Sequence, residues 1–149
     1  MLAVAALLLL VPAGCGGGGG GRMSTTAYEH EVNGAGEQLS SVFGLVDQNT
    51  QTLNQFAIKV GRARKALDDV TSELAKVKPP KDAERPHAQL VAALRDLSTD
   101  LRKLSAAART GSQQKTDRAR RRLSAPAKKI LQAIQQLQAA GFDVNEGSG

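Results

Sequence analysis

Apolar side chains recur along this chain in steps of four and three, almost without error. From Tyr28 they run Val32, Ala35, Leu39, Val42 and Val46, keep phase through Asn49, and continue as Leu53, Phe56, Val60, Ala63, Leu67, Val70, Leu74 and Val77. Such steps keep one face of an α-helix apolar, and that face must pack against something. Pro79-Pro80 ends the run, because proline clashes with the preceding turn and constrains the residue before it. A second seam follows at His87, Leu90, Leu94, Leu97, Leu101, Leu104 and Ala108, closed by Gly111-Ser112. A third joins Ala119, Leu123, Ala127, Ile130, Ile134 and Leu137. With one Tyr, three Phe and no Trp, the composition offers strands little. The expected fold is all-α, an antiparallel helical bundle.

The helix count depends on the first seam. Unbroken, it makes one helix of roughly 52 residues, ~78 Å long at 1.5 Å per residue. The later helices are about half that, so Tyr28, Leu39, Val42, Phe43 and Val46 would then face water. A break near Asp47-Gln48-Asn49-Thr50, where poor or cap-forming helix residues gather, gives four rods of similar length. Four helices are favoured, with three and a very long first helix as the alternative. Asp82 suits the N-cap of the helix that follows, which places Pro86 in or just after its first turn. Pro126 predicts a kink near Arg122, whose carbonyl it crowds. Gly141-Phe142 reads as a helix C-cap.

Ahead of the bundle lies a different kind of sequence. Leu2 to Val11 carries no charge and is too short for a bilayer, which takes ~20 apolar residues. Pro12-Ala13-Gly14 and then Cys15, the only cysteine, follow it, and Gly16 to Gly21 is a pure glycine string. This arrangement resembles the export signal of bacterial lipoproteins. The resemblance implies that the Cys15 thiol takes a diacylglycerol and that residues 1–14 are removed. Pro12 stands where that family usually has Leu, and no Lys or Arg precedes the apolar run. An ordinary cleaved signal, or translation from Met23 leaving a cytosolic protein, are the alternatives. The glycine string would be a tether with a mean reach of ~14 Å. The layout is therefore a signal at 1–14, lipidated Cys15 and tether to 24, a bundle over 25–142, and a tail over 143–149, frayed from Asn145 onward. The bundle also resembles small helical secreted proteins of high-GC Gram-positive bacteria, on Pro79-Pro80, His87 with Leu90 and Leu94, and Gly141-Phe142. That family implies no activity.

Reactive constellations are scarce. Glu84-x-x-His87 has the spacing of helical di-iron sites, but those need a second such pair, and Ala27 stands three before His30. His87 reads as the first layer of its seam and His30 as a solvated side chain. With two histidines and its one thiol assigned to lipid, the chain offers no nucleophile and base. No catalysis, metal or cofactor is expected.

Charge is distributed unevenly. Residues 22–58 hold one basic and four acidic side chains, whereas residues 59–129 hold nineteen basic and eight acidic. Arg109 to Lys129 concentrates Arg109, Lys115, Arg118, Arg120, Arg121, Arg122, Lys128 and Lys129 against Asp117 alone. Such a cluster is either a solvated face or a polyanion-binding one; for the latter the candidate residues are Arg118, Arg120, Arg121, Arg122, Lys128 and Lys129. Nucleic acid is disfavoured, because no aromatic side chains interleave for base stacking. In the four-helix arrangement this cluster sits on the wall side, far from the anchor. The expected function is a membrane-anchored, non-catalytic helical module on the extracytoplasmic face, binding or spacing envelope components. The alternatives are a carrier of a small apolar ligand and a binder of anionic wall polymer; another envelope protein is a further partner class.

Overall fold

The computed structural model describes residues 21–47 and 52–145, with the side chains of Val42, Leu45, Val46 and Asp47 left out. Cys15, the apolar run before it and most of the glycine string lie outside the described residues. The helices are α1 (Thr25–Asp47), α2 (Leu53–Leu74), α3 (Glu84–Arg109), α4 (Gln113–Arg122) and α5 (Ser124–Ala139), with a 3-10 turn at Lys81–Ala83. No strand occurs among the described residues. α4 and α5 are two halves of one kinked rod, so four rods run up, down, up and down.

The first seam does not stay one helix. α1 ends at Asp47 and α2 starts at Leu53, capped by Thr52, whose side chain accepts from the Gln55 N–H. Of the expected breakpoint, Asp47 is the last residue of α1, and residues 48–50 lie outside the described residues. The two helices are antiparallel. His30 lines one cleft with Ser72 and Glu73, and Ser41 lines another with Ala66. The Met23 N–H bonds the Lys78 carbonyl at 2.9 Å, which fixes the start of α1 beside the end of α2.

Three terminations follow local chemistry. Gly111 takes φ +70° between α3 and α4, and Ser112 then caps α4 by accepting from the Lys115 N–H. At the end of α5, Gly141 takes φ +90°. The Phe142 N–H returns to the Leu137 carbonyl at 3.1 Å and the Gly141 N–H to Gln138 at 2.9 Å. This is the paired bonding of a Schellman cap. The fourth rod breaks at Leu123, next to the expected position, since Pro126 has no N–H to give the Arg122 carbonyl.

Asp82 does not cap α3. The residue before α3 is Ala83, already in the helical region at φ −91°, ψ −10°, and no side chain bonds the helix start. Pro80 holds the chain extended, and the 3-10 turn then runs straight into α3, so no β-region residue is left to offer a cap. The domain also continues past Phe142. Val144 is buried, the Asp143 carbonyl accepts from Asn33 Nδ2, and the Asn145 N–H donates to Asn33 Oδ1.

The seams form one core. Phe56, Val60, Leu67 and Leu74 of α2 and Leu90, Leu94, Leu101 and Leu104 of α3 are buried. Ser105 Oγ donates to the Ala57 carbonyl at 2.9 Å, joining these two helices from within. Among the described residues no buried side-chain nitrogen or oxygen lacks a partner. The last seam departs from expectation by one position at two places: Pro126 is buried and Ala127 exposed, and Ala133 is more deeply buried than Ile134, whereas Leu137 keeps its expected place.

Candidate functional site

Not every pair of neighbouring rods closes. α1 packs on α2, α2 on α3, and α3 on both α4 and α5, but α1 and α5 are not a packed pair. Between them lies a hollow of about 380 Å³. Its floor is Leu90, Leu94 and Leu97 of α3; Val32, Ala35, Gly36, Leu39 and Phe43 of α1 form one wall and Ile130, Leu131 and Ile134 of α5 the other. Two polar residues, Ser40 and Asn145, border it. The volume is at the lower end of the ~300–1,000 Å³ range of small-molecule sites, and the apolar lining with few polar groups is typical of them.

The hollow accounts for several of the half-buried residues. Leu39, Phe43, Leu97, Ile130 and Ile134 all pack against the core without being enclosed by it, and all five line the hollow. Leu131 beside them is 43% exposed. Gly36 leaves the α1 wall without bulk at the hollow. The tail is wedged between the rods at their lower end: Phe142 and Val144 are buried there, and the Asp143 N–H donates to Glu29 Oε1 at 2.8 Å.

Beneath the hollow is a three-ring cluster. Tyr28 meets His87 edge-on at 5.6 Å between ring centroids and Phe142 at 5.4 Å. His87 Nε2 lies 3.0 Å from the Leu74 carbonyl, so it carries the proton and donates. Nδ1 is then free to accept from the Tyr28 hydroxyl at 3.2 Å. Burial pushes the Tyr28 hydroxyl well above its ordinary pKa. Burial also holds His87 below its ordinary value, against the opposing effect of its bond to Leu74.

The sign of the pH dependence follows. The unfolded chain protonates His87 near the ordinary imidazole pKa of ~6.5 and the folded chain only at lower pH, so in between the unfolded state binds more protons. The stabilisation is complete above ~6.5 and is lost as pH falls from there through the depressed folded value. Melting at pH 8 should therefore occur at higher temperature than at pH 5.5, and His87→Gln should flatten that difference. An unchanged slope in the variant would remove His87 as its cause.

Glu84 and His87, whose spacing alone is metal-like, are committed elsewhere. Glu84 forms an ion pair with Arg22 across the start of α3, while His87 faces Tyr28 and Leu74. Among the described residues no group of His, Cys, Asp and Glu is arranged to hold a metal ion.

The six basic candidates are all exposed but do not converge. Arg120 lies over the Phe56 ring, 5.1 Å from its centroid. Lys129 is paired with Asp96 at 2.8 Å. Arg118, Arg121 and Arg122 radiate from the outer face of α4, opposite its buried Thr116 and Ala119. Lys128 stands on α5. Sequence reasoning raised a ligand space between the helices as an alternative but did not locate it at α1 and α5. The signal for its place was Gly36, next to Ala35 of the seam.

Comparison with known proteins adds no assignment: no family model matches the chain, and no curated protein or solved structure is significantly similar to it. Among the described residues, no helix is long and apolar enough to cross a membrane.

Proposed function

We propose that this chain is a lipid-anchored extracytoplasmic binding module, held at Cys15, that carries a small apolar or amphiphilic molecule between α1 and α5. The observation that supports this reading is the hollow itself. Four seam residues, Leu39, Leu97, Ile130 and Ile134, together with Phe43, border one apolar space instead of being enclosed as in an ordinary bundle. A pure spacer gains nothing from leaving them open, since each square ångström of apolar surface kept in water forfeits ~25 cal/mol. A ligand that covers them recovers that energy on binding. The anchor half of the proposal rests on Leu2 to Cys15 and the glycines after it.

Gly36 supplies the test. It lines the hollow, and a Cβ built on it meets nothing within 4 Å. Gly36→Phe should put a ring into the space, starting from a Cβ that has room, and remove part of the ~1 kcal/mol helix penalty of glycine. Full-length protein would be purified from its own membranes and weighed by native mass spectrometry. Wild type should carry a non-covalent mass in addition to the covalent lipid. Gly36→Phe should keep the lipid and its melting temperature but lose the extra mass. Cys15→Ala should lose the covalent lipid and leave the membrane fraction. A wild-type protein with no retained mass is a spacer, and a Cys15→Ala protein that stays lipidated is not anchored there.

A further inference from the structure

A second concave surface lies on the other side of the core, where α2 and α3 pack together. It is a recess of about 580 Å³, with Gly61, Ser105 and Ala106 among its lining. Small residues keep it shallow and open, and Ser105 spends its hydroxyl on the Ala57 carbonyl. Five basic side chains border it: Arg62, Arg64 and Lys65 from α2, Arg102 and Arg109 from α3. Two of these are neutralised within α2, Arg64 by Asp68 and Lys65 by Asp69, each at 2.8 Å. Arg62, Arg102 and Arg109 pair with no carboxylate among the described residues.

We infer that this recess is a binding site for a linear phosphodiester polymer, with Arg62, Arg102 and Arg109 as its cationic contacts. The argument is geometric as much as electrostatic. A cleft lined by charge of one sign over low-dielectric walls focuses its field, whereas arginines radiating from a convex helix such as α4 do not. Guanidinium groups present a planar fork of donors that matches phosphate oxygens. Arg102 and Arg109 are seven residues apart on one helix, ~10 Å along its axis. That spacing suits successive charges of a chain. Ile58, which also lines the recess, is 45% exposed, an apolar surface for the uncharged carbon units between phosphates.

Position selects a polymer over a lipid surface, and this part alone rests on the anchor proposed above. The described chain begins at Gly21, against the Lys78 side chain at the lower end of the bundle. Counted from Glu84 at that same end, Arg102 and Arg109 stand ~27 and ~37 Å up α3. Screening at ~0.15 M salt extends only ~8 Å, so an anchored, upright bundle would not bring the recess to its own membrane.

The test uses full-length protein in non-ionic detergent and fluorescently labelled poly(glycerol phosphate), a phosphodiester chain without bases. Wild type should bind with an affinity that falls as salt rises. Arg62→Gln, Arg102→Gln and Arg109→Gln together should weaken binding about ten- to hundredfold at 0.1 M salt. Arg118→Gln, Arg121→Gln and Arg122→Gln remove the same charge from α4 and should leave affinity within about threefold. Gly36→Phe should bind the polymer as wild type does, so failure of the carrier proposal does not decide this one. Equal losses in the two triple variants would reduce the effect to net charge and overturn the site, as would loss confined to the α4 variant. Stronger salt-sensitive retention by phosphatidylglycerol vesicles, or by a single-stranded oligonucleotide, would also overturn the assignment to the polymer.

Discussion

Replacing Tyr28 with alanine should cost the domain ~3–5 kcal/mol, the usual range for truncating a buried aromatic residue. The side chain is 0% exposed and packs edge-on against two rings that arrive from different parts of the chain, His87 at the start of α3 and Phe142 after α5. Its removal opens a cavity and also takes the donor away from His87 Nδ1. Since domains of this size are stable by only ~5–15 kcal/mol, such a loss is a large part of the total. Tyr28→Phe separates the two effects: the ring packing stays, and an acceptor left without its donor costs ~1–3 kcal/mol. Urea unfolding of the three proteins measures both. If Tyr28→Ala lies within 1 kcal/mol of wild type, the cluster does not hold α1 to the rest of the bundle.

Leu67→Ala should be comparably damaging, at ~2–5 kcal/mol. Leu67 is in the middle of α2, the rod that packs on both α1 and α3, and is 0% exposed. The contrast is Leu131→Ala. That residue belongs to the wall of the hollow and is 43% exposed. Its truncation should change stability by no more than about 0.5 kcal/mol, as surface substitutions generally do. The same truncation should lower ligand occupancy in the native mass spectrum. A pair of leucines with opposite effects on stability and occupancy would distinguish core from site without any knowledge of the ligand. Equal destabilisation by the two would mean that the hollow is closed in solution.

Helix identity was legible in the sequence because a four-and-three pattern has few other physical solutions. The terminations at Gly111 and Gly141 and the break near Pro126 were legible for a similar reason, since glycine and proline act through their own backbone geometry. Asp82 was misjudged because capping depends on the backbone of the preceding residue, and here a 3-10 turn had already made that residue helical. The anchoring of Val144 was hidden, since a short polar tail shows no periodicity from which burial could be inferred.

The two concave surfaces were illegible for a more general reason. Periodicity tells which face of a helix is apolar, but not whether the neighbouring rod comes close enough to cover it. Ile130 and Leu39 look like core positions in sequence and turn out to be walls. Charge counting likewise located a basic stretch on α4. It could not see that Arg62 and Arg102, forty residues apart, would stand around one recess.

The tail that sits between α1 and α5 also joins them. At the lower end α1 is fastened three ways, through Met23 to Lys78, through Glu29 and Asn33 to the tail, and through Tyr28 to the rings. All three lie at one end, where the tail also takes a bond from Gln138 of α5 to the Val144 carbonyl, so the last described residues act as a clasp that joins the first rod to the last without the two helices packing on each other.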